Sequence, residues 1–249
     1  MKTITLLVLN VALLVSLLAS RASALEVPER LVYDVSWSGL SAGSAVQEVA
    51  SRDGELHIVY TVHSSGLVNA FFSIDDRSES VIPKGSGVGP IGTPRLFREK
   101  INEGKTHTWK EALFDQAALK VDTKDFLKHT EKSDPISATS HDTLSSVYFI
   151  RTSDLAPGTA YHIDIFDCKR LWNAEVRVVR REEVSTPLGR FKTLVVTTQL
   201  KAEGVKPRPD YMTVWLSDDS LRVPVKMTIK LKVGEFTATL AGGSHWKQK

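Results

Sequence analysis

Cysteine is all but missing from this chain. Cys168 is the only one among 249 residues, so no disulfide can close within it and the core must hold without sulfur staples. Long apolar runs are missing too, apart from one between Ile4 and Leu18, which falls short of the roughly 20 residues that cross a bilayer. Lys2 before that run and Ala22 and Ala24 after it, in an A-x-A arrangement, predict a secretory leader over 1–24 that is cleaved on export. No cysteine stands at the predicted cleavage point to carry a lipid anchor, so a soluble periplasmic protein comprising residues 25–249 is expected. An excess of one charge is absent as well: without Lys2 and Arg21, 30 basic side chains face 29 acidic ones, a net charge of +1. Nucleic-acid binding rests on clustered Lys and Arg and is excluded as a reading. Repeats, low-complexity linkers and shifts of composition are also lacking, which leaves one β domain as the simplest organisation.

What is present is period-2 alternation. Leu31, Tyr33, Val35 and Trp37 fall on one face of a strand, and Leu56, Ile58, Tyr60 and Val62 on one face of another, after a turn at Arg52-Asp53-Gly54. Val223, Val225, Met227, Ile229, Leu231 and Val233 alternate with polar residues, and Gly234 turns the chain into Glu235–Leu240, a two-faced antiparallel hairpin. Further strands are expected over Gly43–Ser51, Arg77–Ile82, Arg95–Ile101, Thr106–Phe114, Leu119–Lys124, Thr159–Phe166, Ala174–Glu183, Phe191–Leu200 and Tyr211–Leu216. Helical spacing occurs over Asp142–Arg151, where Leu144, Val147, Tyr148 and Arg151 mark an amphipathic helix capped by Ser140 or Asp142. A short helical turn is expected over Leu67–Phe72, and mobile connections over Pro83–Pro94 and Glu203–Asp210. Few helices between closely spaced strands predict an all-β, mainly antiparallel fold, because parallel pairs need crossovers.

Motifs that announce chemistry are weak or absent. Gly87 to Gly92 spell G-x-G-x-x-G, but Pro90 and Pro94 oppose the helix whose N-terminus would face a pyrophosphate. His141-Asp142 lies among serines without a nucleophile elbow, and adjacent helical residues point about 100° apart, so a capped helix start is the reading. No zinc-protease motif occurs, His57 and His63 stand too far apart to share an ion, and Asp75-Asp76 and Asp218-Asp219 lack the alternating oxygen ligands of a calcium loop. Neither metal nor cofactor is expected. Arg222, Lys226, Lys230 and Lys232 fall on one strand face, to be extended by Arg177 and Arg181 if the strands pair; such a row is solvated or meets an anion. Cys168 is read as a small residue packed at a strand end.

Three segments carry a resemblance. Leu31-x-Tyr33-x-Val35-x-Trp37-x-Gly39-Leu40-x-Ala42-Gly43, the helix Asp142–Arg151 with Asp154-Leu155-x-Pro157-Gly158, and Trp215–Asp219 with Arg222-x-Pro224-Val225 together resemble a bacterial exported family, domain of unknown function 3108, from about Leu31 to Leu240. The resemblance implies a single curved antiparallel sheet, similar to the half-barrels of periplasmic lipoprotein carriers, with the one short helix packed on it. It implies no catalytic residue. The expectation is a non-enzymatic binding protein whose concave sheet holds an apolar or amphipathic, lipid-like ligand or an envelope partner. Trp37, Tyr60, Trp109, Tyr148 and Trp215 would line the site, with Lys226 and Lys230 on a polar surface. A structural or assembly factor for surface polysaccharide or outer-membrane machinery, docking an envelope protein or acidic glycan, is the alternative. An enzyme acting on envelope glycan or lipid through Asp218, Asp219 or His141 is the third.

Overall fold

The computed structural model describes residues 25–87, 91–231 and 234–246. The leader predicted over 1–24, Val88–Pro90 of the glycine-rich segment, and Lys232 and Val233 of the late hairpin lie outside them.

Alternation in sequence becomes one sheet. The first half contributes β1 (Glu29–Trp37), β2 (Leu40–Arg52), β3 (Glu55–Ser64), β4 (Asp75–Pro83), β5 (Leu96–Glu103), β6 (Thr106–Asp115), β7 (Lys120–Asp125) and β8 (Thr130–Pro135). The second contributes β9 (His141–Asp142), β10 (Ala160–Phe166), β11 (Leu171–Thr186), β12 (Gly189–Ala202), β13 (Val205–Ser217), β14 (Pro224–Leu231) and β15 (Gly234–Gly243). Their order is β8-β7-β6-β5-β4-β3-β2-β1-β15-β14-β13-β12-β11-β10-β9, so each half runs outward as a meander and β1 pairs with β15. Every pair of named strands is antiparallel except the two-residue β9–β10 contact. The fold is therefore all-β and mainly antiparallel.

A right-handed twist accumulated over this many strands curls the sheet round on itself. Phe97, Ala112, Phe114 and Val121, from β5 to β7, share one apolar cluster with Phe166 and Cys168 at the end of β10. Phe114 meets Phe166 edge-on at 6.1 Å, and Lys132 of β8 donates to the Lys169 carbonyl at 2.9 Å. Strands far apart in the order are thus neighbours across the curl.

Two helices interrupt the sheet among the described residues, α1 (Gly66–Phe71) and α2 (Thr143–Thr152). Asp142 is the N-cap of α2: its Oδ1 accepts from the Leu144 and Ser145 amides at 2.8 and 2.9 Å, and Ser145 Oγ accepts from the Asp142 amide at 3.0 Å. The expected amphipathic helix proves buried on several sides. Tyr148 enters the cluster of Val49, Ile58 and Ile82 from β2 to β4, and Ile150 enters that of Ile163, Val176, Val196 and Val214 from β10 to β13. The reason is its position: it lies inside the curl with sheet on both flanks.

Four further details differ from expectation. Strand β8, Thr-Glu-Lys-Ser-Asp-Pro, has no apolar alternation because it is an exposed edge, and β9 was absorbed into the helix cap. Most of Glu203–Asp210, expected as a mobile connection, belongs to β13. Register shifts in β12–β13 and the end of β14 near Leu231 spare Pro207 and Pro209 a full ladder, the setting in which proline is tolerated in a strand. The expected basic row also breaks up, because β12 and β13 separate β11 from β14.

Candidate functional site

Cross-strand register decides which side chains meet. In an antiparallel sheet directly opposed residues share a face, so a chain of pairings reads out a row. Beginning at β1, Trp37 opposes Phe236, which opposes Ile229, then Met212, Thr198, Val176 and finally Tyr161 on β10. This row lies on the face turned toward α2, since Val176, Thr198 and Met212 line the same void as Ser146 and Ile150 of the helix. Six strand spacings of about 4.8 Å across these seven strands make the row roughly 29 Å long. Thr198 and Val176 are buried beside the helix, whereas Trp37, Phe236, Ile229, Met212 and Tyr161 stay half-buried. The next row inward, Val35, Ala238 and Met227, is half-buried too, before Val214, Val196 and Val178 pass into the core. Trp37 stacks on Phe236 at 6.3 Å between centroids, and Gly234 is required beneath it, because a Cβ there would lie 2.6 Å from the indole Nε1.

The helix closes the other end of the concave face. Glu29 and Arg151 are each 1% exposed and meet in a two-pronged ion pair, with Arg151 Nη1 and Nη2 donating at 2.7 and 2.8 Å. Burial pushes the Glu29 carboxyl up, but hydrogen bonding and charge from Arg151, with help from His245, outweigh it and hold the group below the ordinary carboxylate range. Tyr148 donates to Glu29 at 3.3 Å and carries the Arg151 guanidinium 4.7 Å above its ring. Arg151 also donates to the Arg222 and Leu221 carbonyls, and His245 sits 3.1 Å from Glu29. The cluster therefore pins α2 to β1, the β13–β14 turn and the C-terminal residues at once. Space left between α2 and β10–β13 amounts to about 40 Å³, room for roughly one water.

Against this frame the seven predicted site residues divide. Trp37 lies on the half-buried apolar row, and Tyr60 lies on the same face of β3 but three rows further in, where burial and the Asp76 charge push its phenol up to about 12. Asp76 itself is pushed up to about 6 by burial, with Glu103 beside it. Tyr148 is enclosed in the Glu29–Arg151 cluster and lines no open space. Trp215 alternates with the helix-facing Val214 and Leu216, so it takes the opposite face of the sheet; its indole donates to Glu182, and Lys226 sits 4.8 Å over its ring. Lys230 shares that face. Trp109 is also turned away from the concave side, 48% exposed and stacked on Phe126 at 4.7 Å. The structure thus joins Trp37 and Tyr60 on the concave face and parts them from Trp109, Trp215, Lys226 and Lys230.

Phe236 and Met212, which complete the row with Tyr161, were not singled out from the sequence. Only alternation within each segment could have flagged them; their meeting depends on register across β1, β15, β14, β13, β12, β11 and β10. His141 and the two aspartates fill structural roles: His141 packs 4.9 Å from Phe149, Asp218 pairs with Arg181 and Arg222, and Asp219 accepts from Ser217. No group of three metal-binding side chains occurs among the described residues.

Sequence comparison matches residues 32–241 to the family described as "Protein of unknown function (DUF3108)". The chain belongs to this family. Among solved structures, this DUF3108 member is similar to a crystallised β-barrel-like protein of domain of unknown function DUF1849 from Brucella abortus, with a TM-score of 0.60 and 13% identity over 88% of this chain and 98% of that one. At that identity the likeness speaks for the fold alone. No protein of curated function matches the chain.

Proposed function

We propose that this DUF3108 protein is a non-enzymatic binding protein, exported to the periplasm, that holds an apolar or amphipathic, lipid-like ligand along the concave face beyond α2. The observation carrying this reading is the half-buried row Trp37–Phe236–Ile229–Met212 with Val35, Ala238 and Met227 behind it. Although Met212, Met227, Val35 and Ala238 also touch the core clusters, the row leaves a contiguous part of its apolar surface uncovered, and contiguous apolar surface of this kind supports a binding face. Phe71 at the end of α1, 89% exposed, and Leu40 and Leu231 on the neighbouring turns give the strip an apolar rim. The helix and its ion pair fill the inner end, so the ligand occupies the mouth of the curl and not its centre.

Titration with cis-parinaric acid, a fluorescent fatty acid, tests the reading. Saturable binding is expected. Removing apolar area in Ile229→Ser or Met212→Ser should weaken it by more than about tenfold, since a buried side chain of this size is worth about 1.5–3 kcal/mol. Trp109→Ala, on the other face, should leave it unchanged. Absence of saturable binding, or equal affinity in all three variants, would count against the proposal. The assembly-factor alternative gains no support from the sheet edge: β8 carries Glu131, Lys132, Asp134 and Pro135, the composition that blunts an edge against strand addition.

A further inference from the structure

An open groove lies on the face of β6–β8 turned away from α2 and from the apolar strip. Its volume is about 580 Å³, within the few hundred to a thousand cubic ångströms usual for ligand sites. Two cross-strand rows floor it: Glu111 opposes Lys124, which opposes Glu131, and Leu113 opposes Asp122, which opposes Ser133. Alternation turns these side chains outward while Ala112, Phe114 and Val121 point into the core.

The lining has an order of its own. Each carboxylate has a basic partner: Arg98 donates to Glu111 at 2.6 Å, Lys120 to Asp122 at 2.8 Å, and Lys124 reaches Glu131 at 3.1 Å. These three acids and three bases cancel, and Lys132, which also lines the groove, is balanced by Asp134 at 2.9 Å; every carboxylate keeps a free acceptor capacity in an orientation set by its partner. Leu113 is 47% exposed on the floor. Just beyond the groove, two residues along β6 from Glu111 and four from Leu113, about 13 Å from the latter, Trp109 shows the same side, stacked on Phe126, with Lys124 Nζ 5.6 Å from the Phe126 ring. With one side of the indole on Phe126, the other is open to solvent.

From this arrangement we infer that the β6–β8 groove binds an uncharged, hydroxyl-rich glycan chain. Charge complementarity selects the occupant. A polyanion or a strongly basic peptide would meet no net charge to balance its own, and would have to break ion pairs to make new ones. Successive sugar rings instead offer what the floor lacks: hydroxyls that donate to Glu111, Asp122 and Glu131 and accept from Lys124, and apolar C–H faces of which one covers Leu113 and another, further along the chain, Trp109. An added peptide strand is disfavoured by the charged, proline-ended β8 edge.

Native affinity electrophoresis in gels containing dextran, laminarin or galactomannan, with polygalacturonate as the acidic comparison, tests this. The intact protein should be retarded by a neutral polysaccharide and not by polygalacturonate. Trp109→Ala should weaken retention at least about tenfold, through loss of the stacking face. Glu111→Gln should weaken it without a change in thermal midpoint, because that side chain lies outside the core. Trp37→Ala, on the concave face, should bind as the unaltered protein does. The inference is overturned if no neutral polysaccharide retards the protein, if polygalacturonate alone does, or if Trp109→Ala retains full retardation while folded.

Discussion

Glu29 and Arg151 show what a single residue contributes when it is fully enclosed. Neither charge reaches water, so either alone would be a buried ion without a counter-charge, a condition that costs about 3–5 kcal/mol. Arg151→Met should therefore lower stability by about that amount in urea denaturation, and Glu29→Gln added to it should restore part of the loss, because the stranded carboxylate is gone. His141 sets a pH dependence. It is 2% exposed, and burial pushes its imidazole down to about 4 from 6.5. Between those values the unfolded chain binds the proton and the folded one does not, so stability is full above pH 6.5 and declines toward pH 4, by up to about 3 kcal/mol. Asp76 acts in the opposite sense, since its folded carboxyl, pushed up to about 6, takes a proton before the unfolded one does. Comparison of His141→Gln with the unaltered protein separates the two: the variant should show a flatter loss of stability on acidification, and an unchanged slope would contradict the assignment. Neither Glu29 nor the fate of Arg151 was legible in the sequence, because a partner 122 positions away leaves no local signal.

At the scale of elements, α2 was legible where its caps are and illegible where its packing is. The Asp142 cap follows from residue type, and the helix begins at Thr143 as the spacing implies. What spacing could not show is that Ser80 on β4 donates to the second Asp142 oxygen at 2.6 Å, in a site without solvent. Asp142→Ala thus removes a cap, worth about 1 kcal/mol, and also leaves the Ser80 hydroxyl unpaired, for a further 1–3 kcal/mol. Calorimetry should find a loss of about 2–4 kcal/mol; a loss near 1 would mean that the cap alone matters. The long strands were recovered because alternation is strong wherever one face is packed, as in β1, β3 and β14. Strand β8 escaped because both of its faces are polar, and the first half of β13, before the expected Tyr211–Leu216, because two prolines suggested a connection where the neighbouring strand had already ended.

Over the whole molecule, pattern sufficed for the class of fold and its antiparallel meander but not for the rows that cross it. Trp37 and Met212 are separated by 175 positions in sequence and by three strand spacings in space, a relation that only strand order and register reveal. The same cause explains why aromatic side chains expected to line one site divide between two faces. Trp37 lies on the concave strip and Tyr60 further in on the same face, while Trp109 stands on the opposite face beside a separate groove. Interior volume is likewise a property of the whole: a curl this wide would hold a cavity if α2 did not occupy it, and the void left beside the helix is about 40 Å³.

Native mass spectrometry of the protein purified from its native cell, with the organic extract of the same sample, tests the concave strip as a ligand site most directly. The account predicts an apolar molecule at one copy per chain in the unaltered protein and its loss in Ile229→Ser and Met212→Ser with the fold intact. Protein emerging at its bare polypeptide mass, with an empty extract, would contradict it.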